Sequence, residues 1–255
     1  MKTSELELFL KNLLTPELFD DYCPNGLQIE GRSTIRKIIF AVSATRESTE
    51  YAALNNACAL IVHHGVFWKF HGTRTLTGPF AKRLFPLIKN EINLFGYHLP
   101  LDGHIEIGNA AALARLIGLT NLSSFGMYKG VSTGIRGEFE KPIHSSDLKI
   151  ILSEKLQHPI LYSNPLLTSG DIKSIGIITG GANSQWREAE KLGIDGYITG
   201  EMSEHDYHES RESGIHMFAG GHHATEKLGI QSLMKLIQKE FPTLECEFLD
   251  SENPA

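Results

Sequence analysis

Apolar residues recur along the chain at two alternating spacings. In residues 4–14, Leu6, Phe9, Leu10, Leu13 and Leu14 share one face at the three-to-four-residue period of an amphipathic helix. Residues 20–26, which contain Pro24-Asn25-Gly26, read as a turn. Short apolar runs at 35–42, 59–62 and 93–97 each predict a buried strand. Helical stretches at 47–56, 79–90 and 109–117 alternate with them. Pro79 falls in the first turn of the second, where proline is tolerated, and Gly118 suits the end of the third. From 172 onward the rhythm returns, with strands at 175–179, 196–199, 215–219 and 244–249 and helices at 183–192, 203–213 and 224–240. Such alternation predicts an α/β fold. Between 122 and 166 it loosens into a strand at 131–140 and a helix at 145–156, broken up by Pro and Ser. The expected division is a first α/β lobe over 1–121, a linking or inserted segment over 122–171, and a second α/β lobe over 172–255. The lobes are expected to form one integrated unit.

Composition narrows the class. With 41% hydrophobic and 21% charged residues in 255, the chain is too ordinary for disorder. Its net charge of −6 argues against a protein that mainly coats nucleic acid. No apolar run approaches the roughly 18–20 residues of a membrane span, and the first residues carry no apolar signal-peptide core. Cys23, Cys58 and Cys246 are scattered and odd in number, without a CxxC pair, which fits a reducing cytosol. The expected location is therefore cytoplasmic, with no membrane partner.

The unusual feature is the 12 histidines, several of which cluster. His63-His64-Gly65 follows the strand at 59–62. His98 and Asp102 follow the strand at 93–97, and Gly220-Gly221-His222-His223-Ala224-Thr225-Glu226 follows the strand at 215–219. In α/β sheets ligands bind at the carboxyl ends of strands. His222 and Glu226 are four apart, on one face of a helical first turn. Imidazole and carboxylate without thiolate suit Zn, Fe, Mn, Ni or Co. His63, His64, Asp102, His222 and Glu226 are more donors than one open four-coordinate ion takes. They suit two ions roughly 3.5–4 Å apart that share a carboxylate and activate a water. His98 is placed to orient a ligand from behind, and Glu201, at another strand end, to act as an acid or base or to orient a ligand. His223 is less suited than His222. His71, His104, His144, His158, His205, His208 and His216 read as ordinary histidines.

Around these donors, Lys69 to Arg74, Lys82 and Arg83 offer cations for a phosphate, although a solvated surface is the plainer reading. Trp68 and Tyr97 offer rings for a purine or pterin, although core packing is commoner. Gly180-Gly181 is a weak phosphate-turn signal without a P-loop or GxGxxG.

The strings His63-His64-Gly65, His98-Leu99-Pro100-Leu101-Asp102 and Gly221-His222-His223-Ala224-Thr225-Glu226 resemble the YbgI family. These are bacterial dinuclear-metal proteins labelled GTP cyclohydrolase 1 type 2 homologs, relatives of the eukaryotic Ngg-one-interacting factor three. Pro24-Asn25-Gly26-Leu27-Gln28, Thr199-Gly200-Glu201 and Asn253-Pro254-Ala255 match as well, so the likeness runs end to end. The resemblance implies two interlocked α/β lobes with a dinuclear metal site between them, in a toroidal homohexamer whose sites face an internal cavity. It implies two divalent ions per chain held by His63, His64, Asp102, His222 and Glu226. In the assignment we expect, Glu226 bridges, His63 and Asp102 complete one ion, and His64 and His222 complete the other. Glu201 and His98 are the candidate catalytic residues.

The expected function is metal-dependent hydrolysis of a small nucleotide-like or purine/pterin substrate. No Ser-His-Asp or reactive-cysteine signature competes. The alternative is a non-enzymatic metal-binding ring scaffold or metal chaperone. A version that contacts DNA is disfavoured by the net charge of −6.

Overall fold

A computed structural model describes residues 1–166 and 170–255. The first half runs α1 (Thr3–Leu14), β1 (Gly26–Ile29), β2 (Lys37–Ser43), α2 (Arg46–Leu54), β3 (Ala59–His64), α3 (Gly78–Lys89), β4 (Asn93–Gly96), α4 (Leu99–Asp102) and α5 (Asn109–Leu116). It continues with β5 (Thr120–Tyr128), β6 (Val131–His144), α6 (Ser145–Leu156), β7 (Leu161–Ser163) and β8 (Asp171–Ile177). The last elements are α7 (Trp186–Lys191), β9 (Gly196–Thr199), α8 (Glu204–Glu212), β10 (His216–Ala219), α9 (His222–Glu240) and β11 (Glu245–Phe248). The chain divides into two compact units, Met1–Leu101 with Ile230–Ser251, and Asp102–Gly229 with Glu252–Ala255.

In the first unit a five-stranded sheet has the order β1-β4-β3-β2-β11. β4, β3, β2 and β11 run parallel and β1 is antiparallel to β4. Parallel strands covered on both faces need continuous apolar runs, and β3 is buried from Ala59 to His63. Ile39, Leu60, Val62 and Leu94 of the sheet pack with Phe80, Leu84 and Leu87 of α3. α1 buries Leu6, Leu10 and Leu14, as its period predicts, and Phe9 meets Phe241 edge-on at 5.1 Å. β3 therefore ends on His63 and His64, and β4 is followed by Tyr97 and His98.

The second unit holds a six-stranded sheet of order β5-β6-β8-β9-β10-β7. Its middle strands β8, β9 and β10 are parallel. Ile135, Ile175, Ile177, Ile198 and Phe218 form a core with Leu148, Leu152 and Leu156 of α6 and Leu113 of α5. A second core gathers Phe125, Tyr197 and Met217 against Trp186.

Several elements differ from the sequence reading. The 122–171 segment supplies sheet rather than a separate insert, because β5 and β6 pair with each other, β6 pairs with β8, and β7 pairs with β10. Their apolar signal is weak because β5 is exposed or half-buried on both faces over residues 120–124, and β6 likewise over residues 140–144. Residues 167–169 of that segment lie outside the described residues. β1 begins where the sequence reads only the end of a turn, since its four residues are all half-buried and carry no apolar signature. The last strand, β11, pairs with β2 and so belongs to the first unit. Sequence order does not encode which sheet a strand joins. In place of one helix at 183–192 there is a 3-10 turn at Asn183–Gln185 followed by α7.

Candidate metal centre

The first unit brings His63, His64 and His98 together, with donor atoms of all three within 4.8 Å of one another. Adjacent residues on a straight strand point apart. Here β3 ends at His64, and the two rings come to 4.6 Å between centroids. His63 is fully buried, and its Nδ1 lies 3.0 Å from the Tyr97 carbonyl oxygen. A carbonyl only accepts, so Nδ1 carries the hydrogen and the neutral ring offers its lone pair at Nε2. His64 Nδ1 sits 3.0 Å from the Ser43 hydroxyl.

Asp21 Oδ1 accepts a hydrogen bond from His98 Nδ1 at 2.8 Å. Asp21 also accepts from the backbone N–H of Tyr22 (2.5 Å), the Asn25 amide (2.9 Å) and the backbone N–H of Leu99 (3.0 Å). Asn25 in turn accepts from the backbone N–H of His98 at 2.8 Å. Burial pushes the Asp21 pKa up, but the His98 hydrogen bond and charge, with the hydrogen bonds of Asn25 and Leu99, hold it below the usual carboxylate value. A second network underlies the Pro24–Gln28 string. Gln28 donates to the Pro24 carbonyl at 2.8 Å and accepts from the Val66 N–H at 2.9 Å. A Cβ on Gly65 or Gly96 would overlap the Gln28 amide, so both glycines are needed for its close approach. Sequence reasoning missed the supporting roles of Asp21, Asn25, Gln28 and Ser43. The Pro24-Asn25-Gly26 turn is their one local signal.

In the second unit Asp102 is buried and accepts from Asn109 Nδ2 at 2.8 Å and from the Thr179 hydroxyl at 3.2 Å. Glu226 is buried on the first turn of α9, with a carboxylate oxygen within 4.8 Å of one from Asp102. Its Oε2 lies 3.3 Å from His222 Nε2, the same-face contact that the four-residue spacing predicts. Glu201, about half exposed, accepts from His222 Nδ1 at 2.6 Å, which orients the ring. Burial lowers the His222 pKa, but the hydrogen bonds and charges of Glu226 and then Glu201 outweigh it and raise it to about 9. A cation held at Nε2 would have to displace this proton, so cation uptake near neutral pH would release it.

The Gly180-Gly181 turn serves this cluster in a way its phosphate-turn reading missed. The Gly180 N–H donates to Thr225 Oγ1 at 3.1 Å. Gly180 has φ +67°, and a Cβ there would overlap Glu226 Oε1 and stand 3.2 Å from His222 Nε2. Gly180→Ala should therefore displace the Glu226 carboxylate and weaken metal uptake about 10- to 100-fold, the usual range for loss of support to a ligand. The backbone strain should cost only about 1 kcal/mol. Metal titration beside thermal unfolding checks it, and unchanged affinity would refute the cradle.

The remaining candidates fall elsewhere. Tyr97 is core, only 1% exposed, whereas Trp68 is half-buried with ring centroids 5.8 Å from His64 and 5.2 Å from His98. His223 is buried and its backbone N–H donates to the Ala255 carbonyl at 2.9 Å. His216 is buried against the Tyr162 hydroxyl at 2.7 Å. Among the described residues, His63, His64, His98 and His222 are the histidines that join donor groups.

An α/β protein of two sheets that presents imidazoles and carboxylates at or soon after its strand ends belongs to the class of candidate metal proteins. The chain is a member of the Duf34/NIF3 (NGG1p interacting factor 3) family, whose model matches residues 1–254. A Haemophilus influenzae protein named GTP cyclohydrolase 1 type 2 homolog is 42% identical over 260 residues, covering all of both chains. An Escherichia coli K12 protein of the same name is 38% identical over 256 residues, again covering all of both. The solved structure of a protein ybgI of unknown function superposes with a TM-score of 0.91 at 38% identity, over all of both chains. A solved structure from Thermus thermophilus gives 0.89 at 30%, also over all of both. Among the described residues no helix is long and apolar enough to cross a membrane.

Proposed function

We propose that His63, His64, Asp102, His222 and Glu226 hold two divalent ions, with Glu226 shared, and that the protein hydrolyses a nucleotide-like purine or pterin substrate. The observation that carries this reading is the commitment of Nδ1. In His63 it is tied to a carbonyl and in His222 to a carboxylate, which turns each Nε2 into the ligand atom. Asp102 and Glu226 are buried carboxylates of the hard-donor type that such ions prefer. Divalent ions held there would supply Lewis-acid activation of a water and would neutralise charge that develops on the substrate.

The chain's own residues do the rest. Tyr97 and Glu201 fix imidazole tautomers, and Asp21 fixes His98 beside His63 and His64. Glu201 stays about half exposed to solvent while it holds His222. The nucleotide-like substrate rests on the name carried by the relatives. The cytoplasmic toroidal homohexamer rests on the family resemblance.

Metal analysis of protein purified without chelator or affinity nickel tests the centre, with sedimentation of the same sample for the hexamer. About two equivalents per chain are expected. Fewer than one across Zn, Fe, Mn, Ni and Co would sink it. Bound ions without turnover of any nucleotide or pterin would instead favour the binding scaffold.

A further inference from the structure

The turn after β3 carries exposed aromatic surface. Phe70 is 70% exposed and Phe67 38%, on the segment between Val66 and Arg74. Scattered exposed apolar residues are ordinary, but a contiguous aromatic patch beside a polar cluster is informative. The Trp68 ring stacks on Phe70 at 5.4 Å and 26°, and it also neighbours His64 and His98. The Trp68 Nε1–H donates to the Gly65 carbonyl at 3.2 Å, which fixes the indole to the end of the strand that carries the histidine pair.

Beside this stack is a cavity of about 250 Å³ lined by Pro24, Phe67, Trp68, Lys69, Gly72 and Arg74. Among the described residues its lining holds two cations and no acid, in a chain of net charge −6. Arg74 is held in place, its guanidinium 3.8 Å above the Phe80 ring. The Lys69 ammonium is tied by an exposed ion pair to Asp20 at 3.2 Å, which a stronger anion displaces at little cost.

We propose that this turn is the recognition wall of the site. The Phe70–Trp68 stack takes the face of a fused heteroaromatic base, and Arg74 with Lys69 takes its phosphate. The ligand class is a purine nucleotide or a phosphorylated pterin. A π-face suits any base, and a planar guanidinium suits a phosphate in two-point contact. The cavity fits one ring system rather than a polymer. The inference rests on the nucleotide-like reading of the same site, but it assigns recognition to residues that hold no ion.

The test is quenching of intrinsic fluorescence in chelator-treated protein, with GTP, guanosine and inorganic tripolyphosphate as probes. The other tryptophan, Trp186, is buried and bonded to Asp206, so Trp68 is the reporter and Trp68→Phe the control. GTP should quench saturably in wild type and not in the control. Phe70→Ala should weaken GTP about tenfold or more. Arg74→Ala should weaken GTP but not guanosine, and tripolyphosphate should compete without quenching. Absence of quenching by GTP, or GTP affinity unchanged in both Phe70→Ala and Arg74→Ala, would overturn the proposal. Metal content of the same variants separates the two readings. Protein that binds GTP this way but takes up no metal refutes the dimetal centre alone, and protein that binds metal but not GTP refutes the recognition wall alone.

Discussion

Glu226→Gln will lower bound metal from about two equivalents per chain to one or none. Gln matches Glu in shape, so the buried side chain keeps its place beneath Gly180 and next to His222. What changes is charge and donor capacity. A carboxylate offers two anionic oxygens and can be shared by two cations, whereas a carboxamide offers one neutral oxygen. The substitution also removes the largest influence that raises the His222 pKa, so that ring becomes easier to deprotonate. Loss of metal despite a more available imidazole would point to the bridge itself. Elemental analysis beside thermal unfolding reads the outcome, and two ions still bound in a folded variant would rule out a bridging role.

Asp21→Ala will cost about 3 kcal/mol or more of folding stability. Four donors lose their acceptor at once: the backbone N–H of Tyr22 and of Leu99, the Asn25 amide and His98 Nδ1. Each buried donor left unmatched costs about 1–3 kcal/mol, partly recovered by relaxation. The pH dependence has a definite sign. The Asp21 pKa lies below its ordinary 3.8 in the folded chain, so its contribution is present above that value and is lost as the pH falls through the lower folded value. Urea midpoints for wild type and variant should therefore differ most near neutral pH and converge as the pH drops below about 3.8. A gap that stays constant across that window would assign the effect to packing rather than to the ionised network. The same variant should loosen His98 beside His63 and His64, and a metal titration would detect that.

Much of the second unit's cluster was legible from residue types and spacing. His222 and Glu226 stand four apart at a helix start, and the structure places their side chains 3.3 Å apart. His63-His64 follows an apolar run that cannot be other than buried, and His63 is fully buried at the end of β3. What could not be read was who holds these donors. Asp21 and His98 are 77 residues apart, as are Asp102 and Thr179. Gly180 reaches Glu226 only because the chain after β8 turns over the first turn of α9.

By itself the sequence determined the α/β class and the donor inventory, because hydrophobic period and helical spacing are local properties that survive without any partner. Only the tertiary structure decided three further things. It joined β11 to β2 and made the 122–171 segment part of a sheet. It chose Tyr97 and Glu201 as the groups that set the imidazole tautomers. It also left Trp68 half-buried beside His64 and His98, with the exposed Phe70 stacked on it. Hydrogen bonds and ring contacts act over only about 3–6 Å. Which residues come that close across dozens of positions depends on strand order, and residue-by-residue periodicity does not carry that information.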